Sequence, residues 1–150
     1  MGPDGRGSRP IHGSDLERFV QAQDAGNTLR DALDELRAGR KETHWMWFVF
    51  PQIAGLGSSP TSRRFGISGL DEARDYLGHP VLGPRLRECA QVVAGLPVTS
   101  AEAVLGPIDA QKLRSSMTLF LRADPGDPVF QSVLDRFFDG VPDPATDALI

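Results

Sequence analysis

Two lysines stand apart from the other residues that could do chemistry. Of the 16 basic residues in the 150-residue chain, 14 are arginine, which leaves only Lys41 and Lys112 as lysines. Arginine is a fixed planar charge and lysine a compact, movable one, so they are not interchangeable where a charge must meet a ligand. Arginine codons are GC-rich, so compositional drift would replace lysine wherever charge alone matters and spare it where an ammonium is needed. Lys41, with Glu42, stands just ahead of the most aromatic stretch, His44-Trp45-Met46-Trp47-Phe48-Val49-Phe50-Pro51-Gln52. Trp45 or Trp47 could stack a planar ring, with Lys41 and the amide of Gln52 holding its polar end. His44 is the acid–base candidate by type, since its ordinary pKa lies near neutrality. The loop Gly55-Leu56-Gly57-Ser58-Ser59 follows, with Arg63 and Arg64 beyond it. Its backbone and the hydroxyls of Ser58 and Ser59 could cradle a phosphate. It lacks the Gly-Lys-Ser/Thr of a P-loop and the spacing of a dinucleotide fingerprint, so a plain connector explains it as well.

Lys112 raises the question in another form. On a helical wheel begun at Asp109, Leu113, Met117, Leu119, Phe120 and Leu121 form a broad apolar arc. Asp109, Lys112 and Ser116 fall inside that arc, while Gln111, Arg114, Ser115 and Thr118 lie mostly opposite. A lysine amid a buried face is costly unless it is paired. Three accounts are open. Lys112 pairs with a carboxylate such as Asp109 while Ser116 bonds back to the helix backbone. Alternatively its stem lies on the core and the ammonium reaches water. In the third, Lys112 and Ser116 line a pocket for an anion, with Asp109 as acid or base. The aromatic stretch also has a plainer account, because two Trp and two Phe within six residues make a core, and His44 then only packs beside them.

The remaining candidates carry less. His79 precedes Pro80 and reads as a turn residue, and His12 lies in the opening segment. No histidine cluster exists, so neither a metal nor a cofactor is expected. The lone Cys89 excludes an internal disulfide and a multi-cysteine zinc site, and its place on an apolar stripe makes it an inert thiol.

The elements that must position these residues are helices. Ser14-Asp15-Leu16-Glu17 is a capping box opening a helix to about Gln23. Asn27 is placed to cap a second, with Leu29, Leu33 and Leu36 at helical spacing and Gly39 as its stop. Further helices are expected from about Ser68 to Gly78, Pro84 to Ala94, Ser100 to Leu105, Asp109 to Leu121, and from the Asp127-Pro128 cap to Gly140. The stretch 44–50 is apolar at either period and stays open between helix and strand. The expected fold is therefore mainly α: one compact domain over 14–150, a bundle of about seven helices with at most one short strand-like segment, behind a disordered leader over 1–13. That leader has no apolar run of a secretory signal. The longest apolar run, Trp45 to Phe50, is far short of the roughly 18 residues of a membrane span. A cytoplasmic protein with no membrane role is the expectation. With 20 acidic residues and a net charge of −4, a nucleic-acid partner is disfavoured unless Arg63, Arg64, Arg85 and Arg87 form one patch.

Several stretches resemble a known family: Asp15 to Gln23, Gly39-Arg40-Lys41, the aromatic segment, Gly55-Leu56-Gly57, Tyr76 to Gly83, Asp109 with Lys112, and Ser115 to Phe120. The ending Phe138-Asp139-Gly140 with Asp143 and Thr146 fits too. The family is domain-of-unknown-function 1810, found in bacteria and fungi. The resemblance implies a compact helical domain and assigns no catalytic residue. It does mark four polar-bearing stretches as hallmarks, which favours a shared pocket. A looser similarity of plan links the chain to the NADAR family of ADP-ribose-linked glycosidases, whose diagnostic motifs it lacks. Together these readings point to a pocket binding or hydrolysing a nucleotide-like, phosphate-bearing small molecule, N-glycosidic hydrolysis being the most concrete reaction. The alternative is a non-catalytic interaction or regulatory module with an exposed apolar face, such as Phe137 and Phe138. A concave pocket joining Lys41, His44 and Lys112 favours the first; salt-bridged, filled positions favour the second. Oligomeric state is not legible.

Overall fold

The computed structural model describes residues 15–150, so the expected leader and Ser14 of the capping box lie outside it. The described residues form ten helices and no strand, where about seven helices were expected. In chain order they are α1 (Glu17–Asp24), α2 (Thr28–Ala38), α3 (Met46–Val49), α4 (Pro60–Arg64), α5 (Leu70–Gly78), α6 (Leu82–Ala94), α7 (Ala101–Leu105), α8 (Pro107–Ala123), α9 (Pro128–Phe137) and α10 (Pro144–Leu149). The three beyond expectation, α3, α4 and α10, are too short to show a hydrophobic period. Two of them nevertheless carry a start signal. Ser59 accepts from the Ser62 N–H and Asp143 from the Thr146 N–H, each with proline at the next position.

Cap chemistry sets some of these ends and not others: α1, α5, α6 and α8 start without a side-chain cap. Gly39 closes α2 at φ 74°, a left-handed turn that a side chain would strain. Ser100 caps α7 through the Ala103 N–H, and Asp127 caps α9 through the Val129 N–H. Asn27 makes no such side-chain bond, so α2 starts without that cap. Gly106, at φ 85°, ends α7 and starts α8 at once. The second helix therefore begins two residues earlier than Asp109.

The aromatic stretch becomes the single turn α3 followed by an extended segment. There Ile53 bridges Ile67 in parallel, with Ala54 N–H donating to the Ile67 carbonyl at 2.7 Å and Ile67 N–H to the Gln52 carbonyl at 2.8 Å. This bridge is all the strand-like pairing among the described residues. It pins the chain after α3 against the chain after α4.

Helix α8 is the axis of the molecule and touches α3, α5, α7, α9 and α10. Aromatic rings run through the interior from Phe19 to Tyr76 (5.2 Å between centroids), to Phe120 (5.4 Å) and to Phe130 (5.9 Å). Residues 115–121 of α8 are buried all round, including Ser115 and Thr118, which the wheel had assigned to the polar side. The reason is α10. Its cap Asp143 accepts from Ser115 Oγ (2.9 Å) and from Thr146 Oγ1 (2.6 Å), and the Asp143 N–H donates to Thr118 Oγ1 (2.8 Å). Hydroxyls that read as solvent-facing are the anchor points of a covering helix.

Candidate functional site

The two lysines come together on one carboxylate. Lys41 Nζ lies 3.0 Å from Asp109 Oδ2 and Lys112 Nζ 3.3 Å from Asp109 Oδ1. Lys41 is delivered by the left-handed exit from α2 and tied by its own N–H to the Val104 carbonyl at 2.8 Å. Lys112 reaches Asp109 because residues three apart share a helix face. Each ammonium also stands over an indole: Lys112 Nζ is 4.0 Å from the Trp47 ring centroid, and Lys41 Nζ 5.2 Å from that of Trp45. These are cation–π distances.

The two tryptophans part company. Trp45 is 1% exposed and donates its indole N–H to Glu35 Oε1 at 2.9 Å. It is a core residue and offers no open face for a ring. Trp47 is half-buried and lines concavities on both sides of the lysine–aspartate bridge. The smaller, about 110 Å³, is walled by Trp47, Gln52, Leu56, Gly57, Gly66 and Lys112, with Ser62 and Phe65 also lining it. The larger, about 340 Å³, is walled by Trp47, Lys41, His44, Asp109, Leu105 and Ile108. Ile108, 73% exposed, forms an apolar lip.

The other candidates are placed as follows. His44 is exposed at the rim of the larger cleft. Gln52 faces the smaller one. Ser58 and Ser59 are exposed and line neither cleft, and Ser59 is occupied in capping α4. Ser62, Leu56, Phe65 and Gly66 take that wall instead. Two residues of the expected loop do line it, Leu56 and Gly57, and an added Cβ at Gly57 would come within 2.8 Å of Ser62 Oγ. Ser116 is fully buried, and its hydroxyl has no hydrogen-bond partner among the described residues. It makes no bond back to the helix backbone, and it lines neither cleft, where it was a candidate to meet an anion.

Glu35 was not singled out by sequence, yet it holds the segment in place. Its carboxylate accepts from the Glu42 N–H (2.7 Å), the Thr43 N–H (2.9 Å) and hydroxyl (2.6 Å), and the Trp45 indole. Burial works to raise its pKa, but these four bonds outweigh burial and hold it down at about 2. The signal was indirect: a buried indole N–H needs an acceptor.

Other expectations resolve simply. Burial, with the charge of Glu88, pushes the Cys89 thiol up to about 12, in keeping with an inert side chain. His79 Nδ1 accepts from the Val81 and Leu82 N–H groups, a turn role. Arg85 pairs with Asp24 and Arg87 with Asp124 and Asp127, so neither is an unpaired cation for a phosphate backbone. No cluster of metal-ligating residues occurs among the described residues, and no helix among them is long and apolar enough to cross a membrane.

Comparison with known proteins identifies the family of the chain. Residues 13–150 match a family described as Protein of unknown function (DUF1810). The crystal structure of the conserved hypothetical protein Rv1873 from Mycobacterium tuberculosis is similar at 51% sequence identity, over 91% of this chain and 96% of that one, with a TM-score of 0.87. No curated protein matches the chain.

Proposed function

The chain belongs to the DUF1810 family of proteins of unknown function, and from that premise we propose that Trp47 and Lys112 bind a small molecule carrying both a planar ring and a phosphate-like anion, as nucleotides do. The observation that carries this reading is the Lys112 ammonium 4.0 Å from the ring of half-buried Trp47, which lines two clefts. The residues expected in one pocket are divided, Lys112 in the smaller and Lys41 with His44 in the larger, and both lysines are paired with Asp109. Two cations sharing one anion leave a local positive charge in a partly desolvated place, where an anion gains most. The larger cleft falls in the size range of small-molecule pockets, about 300 to 1,000 Å³, and its apolar lip suits a ring.

The reading favours binding over N-glycosidic hydrolysis. Both Asp109 oxygens already face ammonium groups, so neither is free to serve as acid or base. His44 at the rim is the residue that would exchange protons if the bound molecule is cleaved.

Thermal unfolding of the full chain against a nucleotide panel tests the proposal. A ligand at 100 times its Kd adds about 2.7 kcal/mol of stability. Stabilisation by a nucleotide that vanishes in Lys112→Ala and in Trp47→Leu is expected. A panel that moves neither wild type nor variants would overturn the reading.

A second reading rests on a different face. Phe137 and Phe138 line a cleft of about 370 Å³ between the start of α7 and the end of α9, and Val98 and Val141 are exposed nearby in sequence. Such a surface would suit a protein partner.

A further inference from the structure

The two compartments flanking Trp47 differ in size and in which cation they meet. The smaller holds Lys112 and no carboxylate in its wall; the larger holds Lys41, Asp109 and His44. The smaller cleft, about 110 Å³, is well below the size of a pocket for a whole ligand. It has room for a compact group and little more. Two of its walls come close because one is glycine: a Cβ at Gly57 would sit 2.8 Å from Ser62 Oγ.

The two lysines are not held equally. Lys41 is 9% exposed and also donates to the Thr43 carbonyl at 2.6 Å. Lys112 is 20% exposed and its ion pair is the longer. Partly exposed pairs between residues three apart on one helix are worth only a few tenths of a kcal/mol. Lys112 is therefore the cation that can be released, and Lys41 the one that would keep Asp109 in place.

We propose that the small cleft beside Lys112 is a subsite for a single phosphate-sized oxyanion, and that Asp109 is its built-in competitor, holding the Lys112 ammonium until a ligand anion replaces it. The inference rests on the reading above and adds two things to it. The anionic part of the ligand is one compact group, so a monophosphate fits where a diphosphate does not. Asp109 opposes binding instead of assisting it.

Isothermal titration of the full chain with inorganic phosphate, adenosine 5′-monophosphate and adenosine 5′-diphosphate separates these claims. Asp109→Asn keeps the shape and removes the competing charge, so phosphate and the monophosphate should bind about two- to fivefold tighter, as expected for freeing a partly exposed pair. Lys112→Ala should abolish phosphate binding. Circular dichroism melts establish that each variant is folded. Should Asp109→Asn weaken phosphate binding as Lys112→Ala does, Asp109 is a positioning residue and the competitor is overturned. Absence of phosphate binding to both wild type and Asp109→Asn overturns the subsite, as does a diphosphate that binds as well as the monophosphate. Phosphate binding as expected, with a monophosphate no tighter than phosphate, leaves the subsite standing and sinks the ring-binding reading.

Discussion

Glu35 gathers on one carboxylate four donors of the α2–α3 turn, three at exposed positions and the fourth the indole of buried Trp45. Its pKa of about 2, against an ordinary 4.5, makes it a source of pH-dependent stability. Because the folded value is the lower one, the contribution is complete above about pH 4.5 and is lost as pH falls towards 2. Screening by the solvent around this largely exposed turn limits its size to on the order of 1–2 kcal/mol. Urea denaturation across pH 2.5 to 7 should show wild type losing stability in that window. Glu35→Gln should be less stable at pH 7 by about 1.5–3 kcal/mol, since a charge-assisted network is cut, and should show a flatter pH curve. The same residue decides the fate of Trp45. Once its indole N–H is tied to Glu35 the ring belongs to the core, and Trp47, two residues on, keeps a face to the clefts.

Among elements, α10 shows how a short segment governs a long one. Asp143 is buried, yet its hydrogen bonds from Thr146 and Ser115 overcome the burial that would raise its pKa, and hold it below the usual carboxylate range. Asp143→Ala removes a helix cap and strands Ser115 and Thr146, so a loss of about 2–4 kcal/mol is expected. Hydrogen exchange should then accelerate first in 144–149 and next along the face of α8 that α10 covers. The Arg122–Asp147 pair joins the same two helices at 2.9 Å through both nitrogens. Being solvent-exposed, it should contribute under about 1 kcal/mol when cut by Arg122→Gln. A larger loss there than at Asp143 would reverse this assignment of what holds α10. Neither effect was legible from the α8 wheel, since a wheel shows which side is apolar and not which side is covered.

At the scale of the molecule, Phe120 links the ring of Tyr76, which Phe19 meets on its other side, to the ring of Phe130. Phe120→Ala opens a cavity where α5, α8 and α9 meet, and a loss of about 3–5 kcal/mol in chemical denaturation is expected. Much of this plan is legible in the sequence. The seven helices expected from sequence follow from apolar spacing and from caps such as Gly39, Ser100 and Asp127, because those signals act within a few residues of themselves. The two lysines were marked by rarity, and Asp109 as a partner for Lys112 by helical spacing. Lys41 joins that same Asp109 only through the fold. It is brought there by the exit from α2 and the α7–α8 junction, which are 60 or more residues apart along the chain. Whether Trp45 or Trp47 faces outward, which side of Ser115 meets protein, and which glycines wall a cleft depend likewise on what packs across from them. A sequence determines its local periods and turns; contacts between distant segments are decided only when burial forces them together.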